Sequence, residues 1–134
     1  MTVFLPEIFP YQFFSGFYYP IITAFIHTGN SQLPKSKILA LVDSGASMSI
    51  FQADMATELG IKIETGKPTN LQGVGGTITG YIHNLIIDVA RKTVECPVVF
   101  SAEYKVSVNL LGRKGFFDAF QITFNESKKQ LSLL

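Results

Sequence analysis

The sequence predicts a mostly β domain with two short helices, and three observations carry that expectation. Short runs rich in Ile, Val, Phe and Thr recur at close spacing. Helical periodicity is confined to two brief stretches. The chain also closes on two strand-like runs either side of a polar turn.

Residues 1–19 are rich in Phe, Tyr and Pro and are expected to form an irregular arm packed on the body or on a partner. They resemble a membrane signal only in composition. Glu7 and the prolines at 6, 10 and 20 interrupt them, no long uncharged run follows, and the basic start of a signal peptide is missing. Membrane contact is therefore not expected.

Residues 20–134 are read as one domain. Residues 21–28 form a strand running into Gly29-Asn30, and residues 38–42 form a continuous apolar strand expected to be buried on both faces. Ser49 is a candidate cap for a helix over residues 50–59. Phe51, Met55 and Leu59 fall on one face of it, and Gly60 stops it. Strands are expected at 61–64, 69–72, 77–89 and 94–100, with 101–108 less regular. After Asn109-Leu110-Leu111-Gly112-Arg113-Lys114-Gly115 comes a second short helix, residues 116–120. A hairpin of residues 121–124 and 130–133 ends the chain.

At 134 residues there is room for one core and no second lobe. A net charge of +1 without a basic run gives nucleic acid no footprint. Cys96 is the only cysteine, which excludes an intrachain disulfide and a cysteine-based metal site. Its apolar neighbours predict a buried, inert thiol, and its presence fits a reducing, cytoplasmic setting.

The chemistry centres on Ile38-Leu39-Ala40-Leu41-Val42-Asp43-Ser44-Gly45-Ala46. An apolar strand there delivers a carboxylate into a tight turn, where charge at a core edge needs hydrogen-bond partners. Alone, this is also an ordinary Asx-type turn. Gly73-Val74-Gly75-Gly76 is a glycine-rich tip between two strands, which lets a backbone lie close to a ligand. It lacks the Lys and the following helix of a phosphate loop. His27 and His83 lie in separate strands without metal-ligand spacing, so no metal and no cofactor are expected. Ser44 lacks the setting of a nucleophile. Asp54, Asp88 and Asp118 read as solvated or capping residues.

Taken in order, Asp43-Ser44-Gly45-Ala46, the short helix to Leu59-Gly60, the glycine-rich hairpin and Leu110-Leu111-Gly112 before a final helix and hairpin resemble the retropepsin-like aspartic peptidases. The resemblance runs from about residue 21 to the end of the chain. It implies a single-lobe closed β-barrel with a flap. Asp43 would be the catalytic aspartate, and Ser44 and Gly45 would complete its loop, the hydroxyl of Ser44 entering a hydrogen-bond network across the subunits. Ala46, Gly73, Val74, Gly75, Gly76, Leu111 and Gly112 would bind substrate, the glycines as the flap and Leu110, Leu111 and Gly112 as support for the catalytic loop. Viral members often carry Asp at the position of Ser47, paired with the arginine matching Arg113, so Arg113 needs another partner here.

Peptide hydrolysis by this chemistry needs two carboxylates sharing a proton, whereas the chain offers one Asp-Ser-Gly. The expectation is a homodimer acting on a peptide or protein substrate. The competing expectation is a catalytically inactive module of the same fold that binds peptides or scaffolds an assembly.

Overall fold

The computed structural model describes residues 4–73 and 75–134, and its centre is a closed six-strand barrel. The ring runs β4 (Ile21–His27), β5 (Ser36–Val42), β10 (Asn109–Leu111), β6 (Ser49–Phe51), β9 (Lys92–Phe100) and β8 (Gly76–Val89). It closes where Phe25, Ile26 and His27 pair antiparallel with Asp88, Ile87 and Ile86. Closure removes the free edges that an open sheet would leave. Strand β7 (Lys67–Gly73) lies outside the ring and pairs only with β8, through to the Gly73–Gly76 pair at the tip.

Alternation sets the core. Ile22, Ala24 and Ile26 of β4 point inward with Ile38, Ala40 and Val42 of β5, and the Phe51 and Phe100 rings meet edge-on at 6.1 Å. The outer face of β5 departs from the expected two-sided burial. Leu39 is 51 % exposed because it faces an open groove on the outside of the barrel.

A second sheet of three strands sits at the chain ends, in the order β1 (Glu7–Pro10), β12 (Gln130–Leu133), β11 (Ile122–Asn125). The expectation of an irregular arm over residues 1–19 is thus corrected. Glu7 to Pro10 pair antiparallel with Leu133 to Gln130, and β2 (Gln12–Phe14) and β3 (Phe17–Tyr19) make a hairpin of their own. Pro10 is tolerated because β1 is an edge strand, where a missing N–H leaves no ladder bond broken in a neighbour beyond it. Residues 1–3 of the arm lie outside the described residues.

Both expected helices are shorter than the sequence suggests. The first, α1, spans Ala53–Glu58, because Ser49, Ile50 and Phe51 are taken into β6 between β10 and β9. Ser49 caps nothing and its side chain is fully buried. Phe51, Met55 and Leu59 are all buried as expected, and Gly60 ends the helix with a φ of +73°. Residues 61–64, expected as a strand, instead lead into a 3-10 turn at Ile63–Thr65. There the Thr65 N–H and hydroxyl both donate to the Lys62 carbonyl, at 3.1 and 2.6 Å. The second helix is a 3-10 turn at Phe117–Ala119. Among the described residues no helix is long and apolar enough to cross a membrane.

Candidate active site

Strand β5 ends at Val42 and hands Asp43 to a turn that folds back on its own side chain. The Gly45 N–H donates to Asp43 Oδ1 at 2.9 Å, and the Ala46 N–H donates to the Asp43 carbonyl at 3.2 Å. Gly45 sits close against the acid: a Cβ there would lie 3.2 Å from Oδ1. Among the described residues Oδ2 accepts no hydrogen bond, so the turn orients one carboxylate oxygen and not the other. Asp43 is half-buried, whereas Ser44 and Gly45 are exposed.

A second segment straps this turn from below. Strand β10 runs parallel to β5, pairing Leu111 with Val42, and the Leu111 carbonyl accepts the Asp43 N–H at 3.0 Å. The next backbone groups continue the strap. The Gly112 N–H donates to Ser49 Oγ at 2.9 Å, the Arg113 N–H to the Ala46 carbonyl at 2.9 Å and the Lys114 N–H to the Ser47 carbonyl at 2.9 Å. The approach is so close that only glycine fits at 112: a Cβ would stand 2.8 Å from the Ala46 carbonyl and closer still to that of Met48. Asp43, Ser44, Gly45 and Ala46 are thereby brought onto Leu111 and Gly112.

The glycine-rich tip is a separate feature. Gly73 and Gly76 close the β7–β8 ladder, Gly76 has a φ of +112°, and a side chain at Gly73, Gly75 or Gly76 would meet nothing within 4 Å. Among the described residues no hydrogen bond links this tip to the Asp43 turn. Val74 lies outside the described residues.

Three polar residues around the site carry weight that the sequence reading did not assign. Asn109 is buried, donates to the Leu39 carbonyl at 3.1 Å and accepts from the Gln52 N–H at 2.8 Å, tying β5 to the segment before α1. Tyr104 donates its hydroxyl to the Val108 carbonyl at 2.7 Å. Burial, then the nearby charge of Asp43, pushes its phenol up to about 12. Ser49 is the acceptor described above. A polar residue directly before an apolar pair, as in Asn109-Leu110-Leu111, is the sequence signal that points to such a buried tie. Tyr104 has no such signal, because its nearness to Asp43 arises only on folding.

Cys96, His27, His83, Asp88 and Asp118 make structural contacts away from the Asp43 turn. Cys96 is fully buried, and desolvation raises its thiol while a contact with Ser49 works the other way. His27 Nε2 lies 3.3 Å from an Asp88 carboxylate oxygen, and His83 Nε2 lies 2.8 Å from the Ile63 carbonyl. Asp118 accepts the Gly115 N–H at 3.0 Å. Among the described residues no group of three His, Cys, Asp or Glu side chains could hold a metal ion. Arg113 is exposed, and its guanidinium makes no ion pair among the described residues.

A single closed barrel that presents an Asp-Ser-Gly turn strapped by a Leu-Leu-Gly segment defines a single-lobe acid-protease fold. The family model described as "Aspartyl protease" matches residues 30–113, which include both segments, and the chain belongs to that family. A retropepsin-like aspartic protease from Rickettsia conorii superposes with a TM-score of 0.68 at 19% identity, over 96% of this chain and 98% of that one. EIAV protease complexed with the inhibitor HBY-793 gives a TM-score of 0.56 at 18% identity, over 76% of this chain and 88% of that one. These two likenesses bear on the fold, which is retropepsin-like. A comparison with curated proteins returns no match.

Proposed function

We propose that the chain is an aspartic endopeptidase acting as a homodimer, with one Asp43 from each copy on the two-fold axis. The observation that carries this reading is the half-occupied carboxylate. Its turn fixes Oδ1, Oδ2 stays available, and each chain has one such group. In the proposed cycle the ionised member of the pair takes a proton from the attacking water as its oxygen bonds to the scissile carbonyl carbon. The protonated member gives its proton to the carbonyl oxygen. Collapse of the tetrahedral intermediate breaks the C–N bond: the amine leaves with the proton held by the first carboxyl, and one hydroxyl of the intermediate returns its proton to the second, so the pair again shares one proton.

The β7–β8 hairpin is the proposed flap. A Cβ at Gly73, Gly75 or Gly76 would meet nothing within 4 Å, which suits a segment that closes over an extended peptide and excludes water. The Ser44 hydroxyl, exposed in one chain, is assigned to the contact between copies. A reducing, cytoplasmic setting belongs to the same proposal and is supported by the single buried thiol.

Incubation with a mixed peptide library, with and without a statine-type inhibitor, tests the reading alongside the mass in solution. Inhibitor-sensitive cleavage by a dimer is expected, declining above neutral pH as the shared proton is lost. Peptide retention without cleavage would establish the non-catalytic module instead, a reading favoured by the Ser47 departure and by the lack, among the described residues, of an ion pair at Arg113. A strict monomer would leave the carboxylate without its mate.

A further inference from the structure

Outside the barrel, the uncovered face of β5 floors a groove of about 570 Å³. Leu39 and Leu41 lie in the floor, Phe13 and Phe14 of the β2–β3 hairpin line it on the β4 side, and Val108 lines it on the β10 side. That volume falls within the range of ordinary ligand pockets. The hairpin pairs with no other strand, and its rings hold one another, Phe13 on Tyr18 at 5.0 Å and Phe14 on Tyr19 at 6.4 Å. Phe13 and Phe14 remain 63 % and 60 % exposed. A two-stranded ribbon of aromatics is marginal by itself; this one is tied to β4 by Gln12 Nε2, which donates to the Ile21 carbonyl at 3.3 Å, and presents Phe13 and Phe14 to the groove.

Asp43 does not line the groove, but the strand that floors it leads directly to the candidate site. Lys37, Leu39 and Leu41 alternate with the buried residues of β5, and Asp43 falls next in the same alternation. At a strand rise of about 3.3 Å per residue, Leu41 and Leu39 lie roughly 7 and 13 Å back from the acid. The far side is joined to it as well, through the Tyr104 hydroxyl bonded to the Val108 carbonyl within reach of the Asp43 charge. Both edges of β5 are already paired, so an occupant binds here through its side chains and not as an added strand.

We propose that this groove is a distal substrate subsite. It takes an apolar, preferentially aromatic, side chain two to four residues from the cleaved bond, with the β2–β3 hairpin as the selecting wall. The proposal rests on the peptidase reading of Asp43.

The test uses the full chain and a set of fluorogenic peptides that share their central residues and carry either Phe or Ser two, three or four positions from the cleaved bond. Wild type is expected to prefer the Phe peptide by about tenfold in kcat/KM at one of those positions, mostly through KM, as burial of one ring allows. Leu39→Glu and, independently, Phe14→Ser are expected to bring that ratio close to one, with the solution mass of each variant unchanged. Both positions are surface residues. Equal cleavage of Phe and Ser peptides by wild type, or a preference that survives both substitutions, would overturn the subsite. Dissociation by Leu39→Glu would instead assign the groove to a second copy of the chain and also overturn it. A wild-type protein that cleaves neither these peptides nor the mixed library fails at the peptidase reading, a different result from cleavage without preference.

Discussion

Inside the barrel the Gly112 backbone N–H donates to the hydroxyl of Ser49 at 2.9 Å, and both residues are shut off from solvent. The bond fastens the segment that follows β10 to the strand that follows the Asp43 turn. Ser49→Ala would leave that N–H buried without an acceptor, at a cost of about 1–3 kcal/mol. Gly112→Ala would drive a methyl into the Ala46 and Met48 carbonyls and cost about 3 kcal/mol or more. Denaturant midpoints of the two variants check the order: a Ser49→Ala protein as stable as wild type would remove the strap from the account.

Asp43→Asn is expected to lower peptide cleavage by about three orders of magnitude or more while the fold persists. The amide oxygen still accepts the Gly45 N–H, so the turn keeps its internal bond. Cleavage at the wild-type rate by a folded, dimeric Asp43→Asn protein is incompatible with the proposed mechanism.

Tyr104 gives the structure an alkaline limit. Its phenol is raised from the usual 10 to about 12 by burial first and the charge of Asp43 second. For an acid whose folded pKa lies above its unfolded value, the stabilisation is complete below about pH 10. It is lost as pH climbs toward 12. Tyr11 is raised to about 12 as well, also chiefly by burial, and contributes in the same window. Unfolding free energy measured from pH 9 to 12 should fall, and Tyr104→Phe should reduce the slope. An unchanged slope in that variant would show that the ring carries no such linkage.

The terminal sheet has its own cost of removal. Leu131 and Leu133 of β12 are fully buried between β1 and β11, so Leu131→Ala should destabilise by about 2–5 kcal/mol. A chain lacking residues 1–10 should also lose stability, because β12 would lose its partner on one side. Equal stability with and without those residues would mean that β1 pairs without holding anything.

Much of this architecture is legible in the residues. The strands read at 21–28, 69–72, 77–89 and 94–100 declare themselves by β-branched and aromatic content, and Gly60 and the tip glycines punctuate them where the chain turns. The Asp-Ser-Gly and Leu-Leu-Gly segments point to a site because both pair an apolar strand with a residue whose place there is otherwise costly.

Pairing partners are less legible. Ser49-Ile50-Phe51 reads as a helix start on local chemistry, since serine is a good cap, and becomes a strand because β9 and β10 lie on either side of it. Leu39 reads as buried because an apolar run carries no mark of which face lies uncovered. The arm reads as irregular because Pro6, Pro10 and Pro20 interrupt its aromatic run, and only the presence of β12 makes an edge strand of residues 7–10. Each of these misreadings arises from a contact between segments far apart in the chain.

That distance has a consequence for the life of the polypeptide. Asn109 reaches back to Leu39, 70 positions earlier, and Leu111 holds the backbone of Asp43 from a similar remove. Contacts of such long range place assembly among the slower single-domain events, on the order of milliseconds to seconds. During translation the acidic loop emerges well before its strap has been made, so a growing chain carries the acid slack and unarmed. The acid turn therefore stays unformed until residues 109–114 have been joined to the chain.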